Sequence, residues 1–386
     1  MRGLHHVVST LGLVASLASL LYLGCAVFLT REFGRRRHRS GPGGPPVTIL
    51  KPVCGNEPCL YENLRSFCDQ DYPVFQVVFG VRDAFDPAIA VVRRVIDDLP
   101  GCSLALVVDD RVFGGNYKAS NLANMSKAAA HDVLVIADSD TRVDRSYLAS
   151  VVGPLAEKDV GVVTCLYAGR ADGGLWSRLG AMFVNEWFIP SVLVARLQGT
   201  ASYCFGSTIA LRREVLNAIG GFEVLATYLA DDYMLGQLVS ARGLRVHLSP
   251  YVVDNVISEP SFTSLFSHEL RWARTVRLLR PVGYSLSLVT HALMVSFAYL
   301  VVSSFSALGT AVFGGAVALR LALHYVAPRS LGVPERSGPW LIPVRDALCF
   351  AAWALSFFGR TVLWRGHAMS VGPGGRLEPE GEHSIS

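Results

Sequence analysis

The sequence predicts an α/β fold: a mostly parallel sheet with helices on both faces, set between N-terminal and C-terminal transmembrane helices. Three observations predict it. Strand-like apolar runs alternate with amphipathic helical ones from Val47 onward. An uncharged run, Val7 to Thr30, is long enough to cross a bilayer, and apolar stretches return after residue 281. Among 386 residues 51% are hydrophobic and only 17% charged, fewer charges than a soluble chain carries. A membrane accounts for the difference.

Residues 1–30 are read as an N-terminal transmembrane helix and 31–46 as a basic and Pro/Gly-rich linker, from "REFGRRRHR" (Arg31 to Arg39) into "SGPGGPP". The positive-inside rule keeps that basic flank cytoplasmic, which places the following domain on the cytoplasmic side of its membrane. A cleaved signal peptide is the rival reading. It is the weaker one, because the apolar run is too long and its charge lies on the far side. The eight cysteines form no CxxC pair and read as reduced and mostly buried, in keeping with a cytoplasmic domain. A net charge of +4, with the basic residues beside apolar segments, points to anionic lipid and away from nucleic acid.

Residues 47–260 hold the alternation. "VTILKPV" and "FQVVFGV" are buried strands. "DPAIAVVRRVIDDL" is a helix opened by Asp86 and Pro87, with Ile89, Val92, Val95, Ile96 and Leu99 on one face. "CSLALVVDD" is a third strand, "NYKASNLANMSKAAA" a second helix and "DVLVIADSD" a fourth strand. Parallel sheets bind ligands beyond the carboxyl ends of their strands, where Asp83, Asp109, Asp138 and Asp140 gather. "LWSRLGAMFVNEWFIPSVLVA" (Leu175 to Ala195) reads equally as an interfacial helix or a buried core helix. Residues 261–281 form an interfacial helix, and 282–366 supply C-terminal transmembrane or interfacial helices. Val282 to Ser304 and Phe305 to Ala327 are read as a hairpin of spans, and Trp340 to Leu363 as a further stretch left open between spanning and interfacial. Residues 367–386 are a polar tail, disordered from Gly372 to Ser386.

Four groups of residues carry candidate chemistry. Asp138-Ser-Asp140 at a strand end suits a divalent cation bridging to phosphate, Mg²⁺ or Mn²⁺; an acidic turn capping the next helix is the bland alternative. "GGNYKASN" offers glycines, Asn116, Lys118 and Asn121 near a helix start, a setting that suits phosphate. It matches neither a P-loop nor G-x-G-x-x-G. In "YLADDYMLG", Asp231 and Asp232 adjoin a helical run; one serves as a cap and the other as a general base. In "HELRWAR", His268, Arg271 and Trp272 share one helix face, and the arginine row from Arg271 to Arg280 also suits snorkelling to headgroups.

Taken in order, these groups resemble family 2-like membrane glycosyltransferases with a GT-A nucleotide-sugar domain, and more closely the ceramide glucosyltransferase family. The resemblance rests on "LKPVCGNEPCLYENLRSFCDQDYP", "VRDAFDPAI", "NYKASNL", "ADSDTRV", "LADDYMLG" and "RW", from about Leu50 to Arg280. Within it, "GVVTCLYAGR", "NEWFIPSV" and "LRWARTVRLLRPVGY" are most similar to the bacterial hopanoid-biosynthesis branch. The resemblance implies an inverting enzyme that moves a sugar from a UDP-sugar donor to the hydroxyl of a membrane lipid. Its first choice is N-acetylglucosamine to bacteriohopanetetrol, its second glucose to ceramide. It implies Asp83 beside the nucleotide, Asp138 and Asp140 on metal and diphosphate, Asp232 as catalytic base, and Arg271 and Trp272 as the end of a (Gln/Arg)-x-x-Arg-Trp motif in which His268 replaces the usual first residue. A processive polysaccharide synthase shares these residues but needs more spans for a channel; a membrane scaffold needs none of the acids.

Overall fold

Alternating burial along the first two strands sets the architecture of the α/β part. In this computed structural model, which describes residues 2–36, 43–197, 199, 202–333, 337–359, 362–364, 367–371 and 373–378, Val47 and Ile49 enter one core, and Leu50 enters the other. On the second strand Val77, Phe79 and Val81 enter the first core and Val78 the second. A sheet buried on both faces follows, as period-two alternation of two apolar sets requires. The chain divides into two compact units, one formed by residues 37–167, 201–256 and 361–386, the other by 1–36, 168–200 and 257–360.

In the α/β unit, β1 (Val47–Pro52), β2 (Phe75–Val81), β3 (Leu104–Val108), β4 (Val133–Ile136), β5 (Thr141–Arg142), β6 (Val160–Ala171), β7 (Ile209–Arg212) and β8 (Arg245–Ile257) form one sheet in the order β3-β2-β1-β4-β7-β6-β8-β5. The run β3-β2-β1-β4 is parallel, as expected from the alternation of strands and helices. The "mostly parallel" expectation needs correction beyond β4. There β7 pairs antiparallel to β4 and β6, and β5 pairs antiparallel to β8, so the sheet is mixed. One face is covered by α2 (Leu60–Cys68), α3 (Ala88–Asp98) and α5 (Tyr147–Val152), and the other by α4 (Tyr117–Met125), α8 (Arg213–Ala218), α9 (Gly221–Leu225) and α10 (Asp231–Ser240). Ahead of α3, Asp86 accepts hydrogen bonds from the amides of Ala88 at 2.8 Å and Gly55 at 2.9 Å, which ties the helix start to the turn after β1. The tail expectation also needs correction. β9 (Val362–Trp364), β10 (His367–Val371) and β11 (Leu377–Glu378) form a small antiparallel sheet within this unit; residues 379–386 lie outside the described ones.

The second unit is helical. Its α1 (Arg2–Arg35) runs through Arg31 and Arg35, so the start of the expected linker is helix; residues 37–42 lie outside the described ones. The chain continues through α6 (Leu175–Phe183), a π-helical turn over Val184–Phe188, α7 (Ile189–Arg196), α11 (Phe262–Leu279), α12 (Pro281–Leu286), α13 (Ala292–Val302), α14 (Ala307–Leu331) and α15 (Ile342–Ser356). Among the described residues two single helices are long and apolar enough to cross a membrane, Gly3–Arg35 and Ala307–Leu331. The stretch expected as the span Val282–Ser304 is a pair of helices, Pro281–Thr290 and Ala292–Val302, bent by 67° at His291, where the backbone (φ −90°, ψ 51°) leaves the helical region; taken together the pair is long and apolar enough to make a third, broken span. The stretch from Trp340 forms α15, too short to span on its own. The helices α1 and α14 cross closely at Gly34, where a Cβ would stand 2.4 Å from the Ser330 carbonyl.

Charges inside these helices are paired, as a low-dielectric setting demands. The π-helical turn turns Glu186 inward to Arg320 Nη1 at 2.7 Å and His324 Nδ1 at 2.9 Å, and Asp346 holds the other side of the Arg320 guanidinium at 3.0–3.1 Å. Arg345 meets Glu269 with two bonds, at 2.6 and 2.5 Å, and donates to the Leu179 carbonyl. The segment Leu175–Ala195 therefore contributes to a core, with Leu179, Met182, Ile189 and Leu193 buried.

Candidate active site

Beyond the carboxyl end of β4 the chain turns through Asp138-Ser139-Asp140, and the turn is held from below. The Thr141 hydroxyl donates to the Asp138 carbonyl at 2.6 Å, and the Lys51 ammonium donates to the same carbonyl and, at 3.1 Å, to Thr141 Oγ1. Lys51 is fully buried at the end of β1, with its Nζ 3.6 Å from the centre of the Phe67 ring. Burial pushes its pKa down to about 7, and Asp140, Asp138 and Glu57 counter that push. The Ser139 hydroxyl donates to Glu57 at 2.6 Å, a second tie. Sequence reasoning missed Lys51 as a site element, although one signal was present: a lysine inside an otherwise apolar strand must find acceptors.

Lys118, in the first turn of α4, reaches Asp138 Oδ1 at 2.5 Å. Burial alone would lower its pKa, but Asp138, Asp231 and Asp232 outweigh it and hold the ammonium above the ordinary lysine range. Asp232 lies in the first turn of α10. Its Oδ2 accepts the Gly206 amide at 2.9 Å and its Oδ1 the Tyr233 amide at 2.7 Å. Burial first, then the neighbouring Asp231, raise its pKa to about 6, in spite of Lys118. Gly206 sits where these groups converge. A Cβ there would stand 3.1 Å from Lys118 Nζ, 3.2 Å from Asp138 Oδ2 and 3.3 Å from Asp232 Oδ2. Only a residue without a side chain leaves that space open, and nothing in the local sequence marks this glycine among the others.

The remaining predicted residues divide into three groups. Asn116 and Asn121, read as substrate contacts, are buried and bonded within the protein. Asn116 caps α4 through the Ala119 amide and donates to the Tyr228 carbonyl at 3.0 Å and to Asp231 at 3.1 Å; Asn121 donates to the Gly80 carbonyl at 2.8 Å. Both thus position β2, α4 and α10. Asp83 is exposed in the turn after β2, where it accepts the Phe85 amide, and Asp109 is engaged by Arg111. His268, Arg271 and Trp272 lie on α11 in the helical unit. There His268 pairs with Glu259 at 3.0 Å and packs edge-on to Trp272, whose ring also meets Phe183. Of the arginine row, Arg274 and Arg277 donate to the carbonyls of Phe358 and Gly359 past the end of α15, a helix-terminus role where snorkelling was the alternative.

The donor set suits a hard divalent cation. Asp140 Oδ1 is buried without a hydrogen-bond partner, and burial followed by the Asp138 charge raises the Asp140 pKa. An acceptor-only oxygen left open in such a place calls for a positive ligand. Among the described residues no three His, Cys, Asp or Glu side chains form a closed cage, so two carboxylates would leave coordination positions for phosphate oxygens. All eight cysteines are free; four are buried and Cys54 is exposed.

A two-faced α/β sheet with a carboxylate–lysine cluster beyond its parallel strands, in a chain that also carries long apolar helices, defines a membrane-associated group-transfer enzyme of the GT-A type. The chain belongs to glycosyl transferase family 21, whose sequence model matches residues 9–377, and is a glycosyltransferase. It is similar to ceramide glucosyltransferase 1 of Caenorhabditis elegans, 24% identical over 378 residues, 93% of this chain and 79% of that protein. It is also similar to the ceramide glucosyltransferase of Komagataella phaffii, 34% identical over 113 residues, 28% of this chain and 22% of that protein. Among solved structures it shares its fold with a mannosyltransferase from Pyrobaculum calidifontis, solved in complex with GDP-Man and Mn2+, at a TM-score of 0.53 and 18% identity over 90% of this chain and 99% of that one.

Proposed function

We propose that this chain moves a hexose from a UDP-sugar to the hydroxyl of a ceramide-type membrane lipid, with inversion at the anomeric carbon. The observation that carries the reading is Asp232: a carboxylate with a pKa raised to about 6, set across Gly206 from the Lys118–Asp138 pair. A general base works best when its pKa lies near the operating pH, and this one is ionised at neutrality while remaining basic enough to take a proton. Asp232 accepts the proton of the lipid hydroxyl as that oxygen attacks the anomeric carbon, so one displacement turns an α-linked donor into a β-glycoside. Asp138 and Asp140 would hold Mg²⁺ or Mn²⁺ against the donor diphosphate. Such a cation neutralises charge on the departing UDP. Lys118 balances Asp138, Asp231 and Asp232 before the donor arrives. Asp83 contacts the nucleotide, and Arg271 with Trp272 serves the diphosphate and the acceptor.

The similar proteins bear the ceramide name, which favours ceramide over bacteriohopanetetrol as acceptor. The apolar helices fit a lipid acceptor, and the basic end of α1, with Arg31 and Arg35, favours a cytoplasmic α/β unit. The test is a donor-by-acceptor matrix: purified protein with UDP-glucose or UDP-N-acetylglucosamine against ceramide or bacteriohopanetetrol, with products identified by mass. Glucosylceramide is expected. Product only on bacteriohopanetetrol would return the hopanoid reading, and no glycolipid from any pairing would reject lipid transfer.

A further inference from the structure

We propose that the C-terminal segment Gly375–Leu377 is a positioning strap for the loop that carries the base. Between α9 and α10 the chain runs through residues 226–230 with no regular structure of its own, and Asp231 and Asp232 follow at once. The first turn of a helix lacks intrahelical partners for its amides and frays unless something holds it. Here Asn116 holds one side: its amide donates to the Ala226 carbonyl at 2.9 Å and its side chain to the Tyr228 carbonyl at 3.0 Å. The strap holds another. Leu377 N–H donates to the Thr227 carbonyl at 2.9 Å and Leu229 N–H to the Gly375 carbonyl at 3.0 Å, so Tyr228 and Arg376 face each other as an antiparallel bridge. The Arg376 guanidinium lies 5.6 Å from the centre of the Tyr228 ring.

The strap also touches the second loop of the site. Leu377 lies against Gly115, where a Cβ would come within 3.0 Å of its Cδ1, and Gly114 abuts the Ala226 carbonyl so closely that a Cβ would stand 2.4 Å from it. Gly114 and Gly115 lead directly into Asn116 and Lys118. One short strand therefore braces the loop before the base and the loop before the lysine. The strap is tethered in turn to β10 by the pairing of Val371 with Leu377. Added strands of this kind bind through main-chain hydrogen bonds, so the backbone of Leu377 matters more than its side chain. Arg376 and Leu377 touch no reacting atom; they act through residues 226–232.

The proposal rests on the reading of Asp232 as base, and its test separates the two. Three variants serve: Leu377→Pro, which deletes the donor to Thr227; Leu377→Ala, which keeps it; and a chain ending at residue 374. Hydrogen exchange read by mass spectrometry reports on residues 226–233, with α3 as an internal reference, and transfer kinetics are measured beside UDP-glucose affinity. In Leu377→Pro and the shortened chain, exchange at 226–233 should quicken while α3 stays protected. Their kcat should fall about 10- to 100-fold, the range that a displaced catalytic group produces, with donor affinity within threefold of wild type and Leu377→Ala in between. Unchanged exchange at 226–233 would overturn the strap, as would kcat within twofold of wild type or loss of protection at α3 as well. If exchange quickens as expected and Asp232→Asn nevertheless turns over normally, the strap stands and the base assignment falls.

Discussion

Replacing Asp232 by Asn removes the proposed proton acceptor and leaves the shape. The Asn carbonyl oxygen still accepts the Gly206 amide that Asp232 Oδ2 accepts at 2.9 Å. Loss of a general base costs about 10²- to 10⁴-fold, roughly 3–5 kcal/mol in the barrier. UDP-sugar affinity should change little, because Asp138 and Asp140 are untouched. The pH profile carries a second signature. With a pKa of about 6, Asp232 is ionised above that pH and neutral below it, so the wild-type rate should fall as pH drops through about 6. Behind burial, the groups that set this value are Asp231, Lys118, the Tyr233 amide and Asp138. Asp231→Asn removes a like charge, so its acid limb should move to lower pH while most activity at pH 7 remains; Asn116 can still donate to the amide oxygen at 231. The assay is radiolabelled transfer to ceramide between pH 5 and 8, with UDP-glucose binding measured separately on each variant. An Asp232→Asn enzyme within tenfold of wild type, or a dead Asp231→Asn beside an active Asp232→Asn, would refute the assignment.

Exhaustive chelation should abolish transfer, and Mn²⁺ or Mg²⁺ should restore it; undiminished turnover in EDTA would remove the metal from the account. Gly206→Ala puts a methyl within 3.1–3.3 Å of Lys118, Asp138 and Asp232, and should cut transfer at least tenfold with little change in thermal midpoint, as read by paired activity and unfolding assays. Arg320→Met leaves Glu186 and Asp346 buried without their shared cation and should destabilise the helical unit by about 3–5 kcal/mol, visible as a lower unfolding temperature in detergent. Labelling of the exposed Cys54 by a membrane-impermeant thiol reagent should succeed only from the cytoplasmic side; labelling from outside would invert the topology.

What could be read from the sequence followed local chemistry. The strands β1, β2 and β4 announce themselves as β-branched runs, and Asp138, Asp140 and Asp232 as acids at element boundaries, where a ligand is expected. Those signals need only neighbours in the chain. The antiparallel half of the sheet was hidden because β7 joins β4 across more than seventy residues, and strand order there depends on pairing, not on pattern. The bend at His291 was hidden because hydropathy is blind to it: the run stays apolar on both sides of the break. Gly206 and Lys51 acquire meaning only from partners far along the chain, Lys118 and Asp232 for one, Asp138 and Thr141 for the other. Glycine and polar content near the C-terminus suggested disorder, yet Gly375 to Leu377 pair with residues 227–229 by main-chain bonds that side-chain composition does not encode.

The glycolipid itself tests the central claim most directly. Purified protein in lipid nanodiscs containing ceramide, supplied with α-linked UDP-glucose and a divalent cation, should release UDP and form one glucosylceramide per UDP, and the proton coupling at the new anomeric centre by NMR should be that of a β-glucoside. An α-glucoside would contradict the single displacement with Asp232 as base, and UDP release that yields only free glucose would contradict transfer to a lipid.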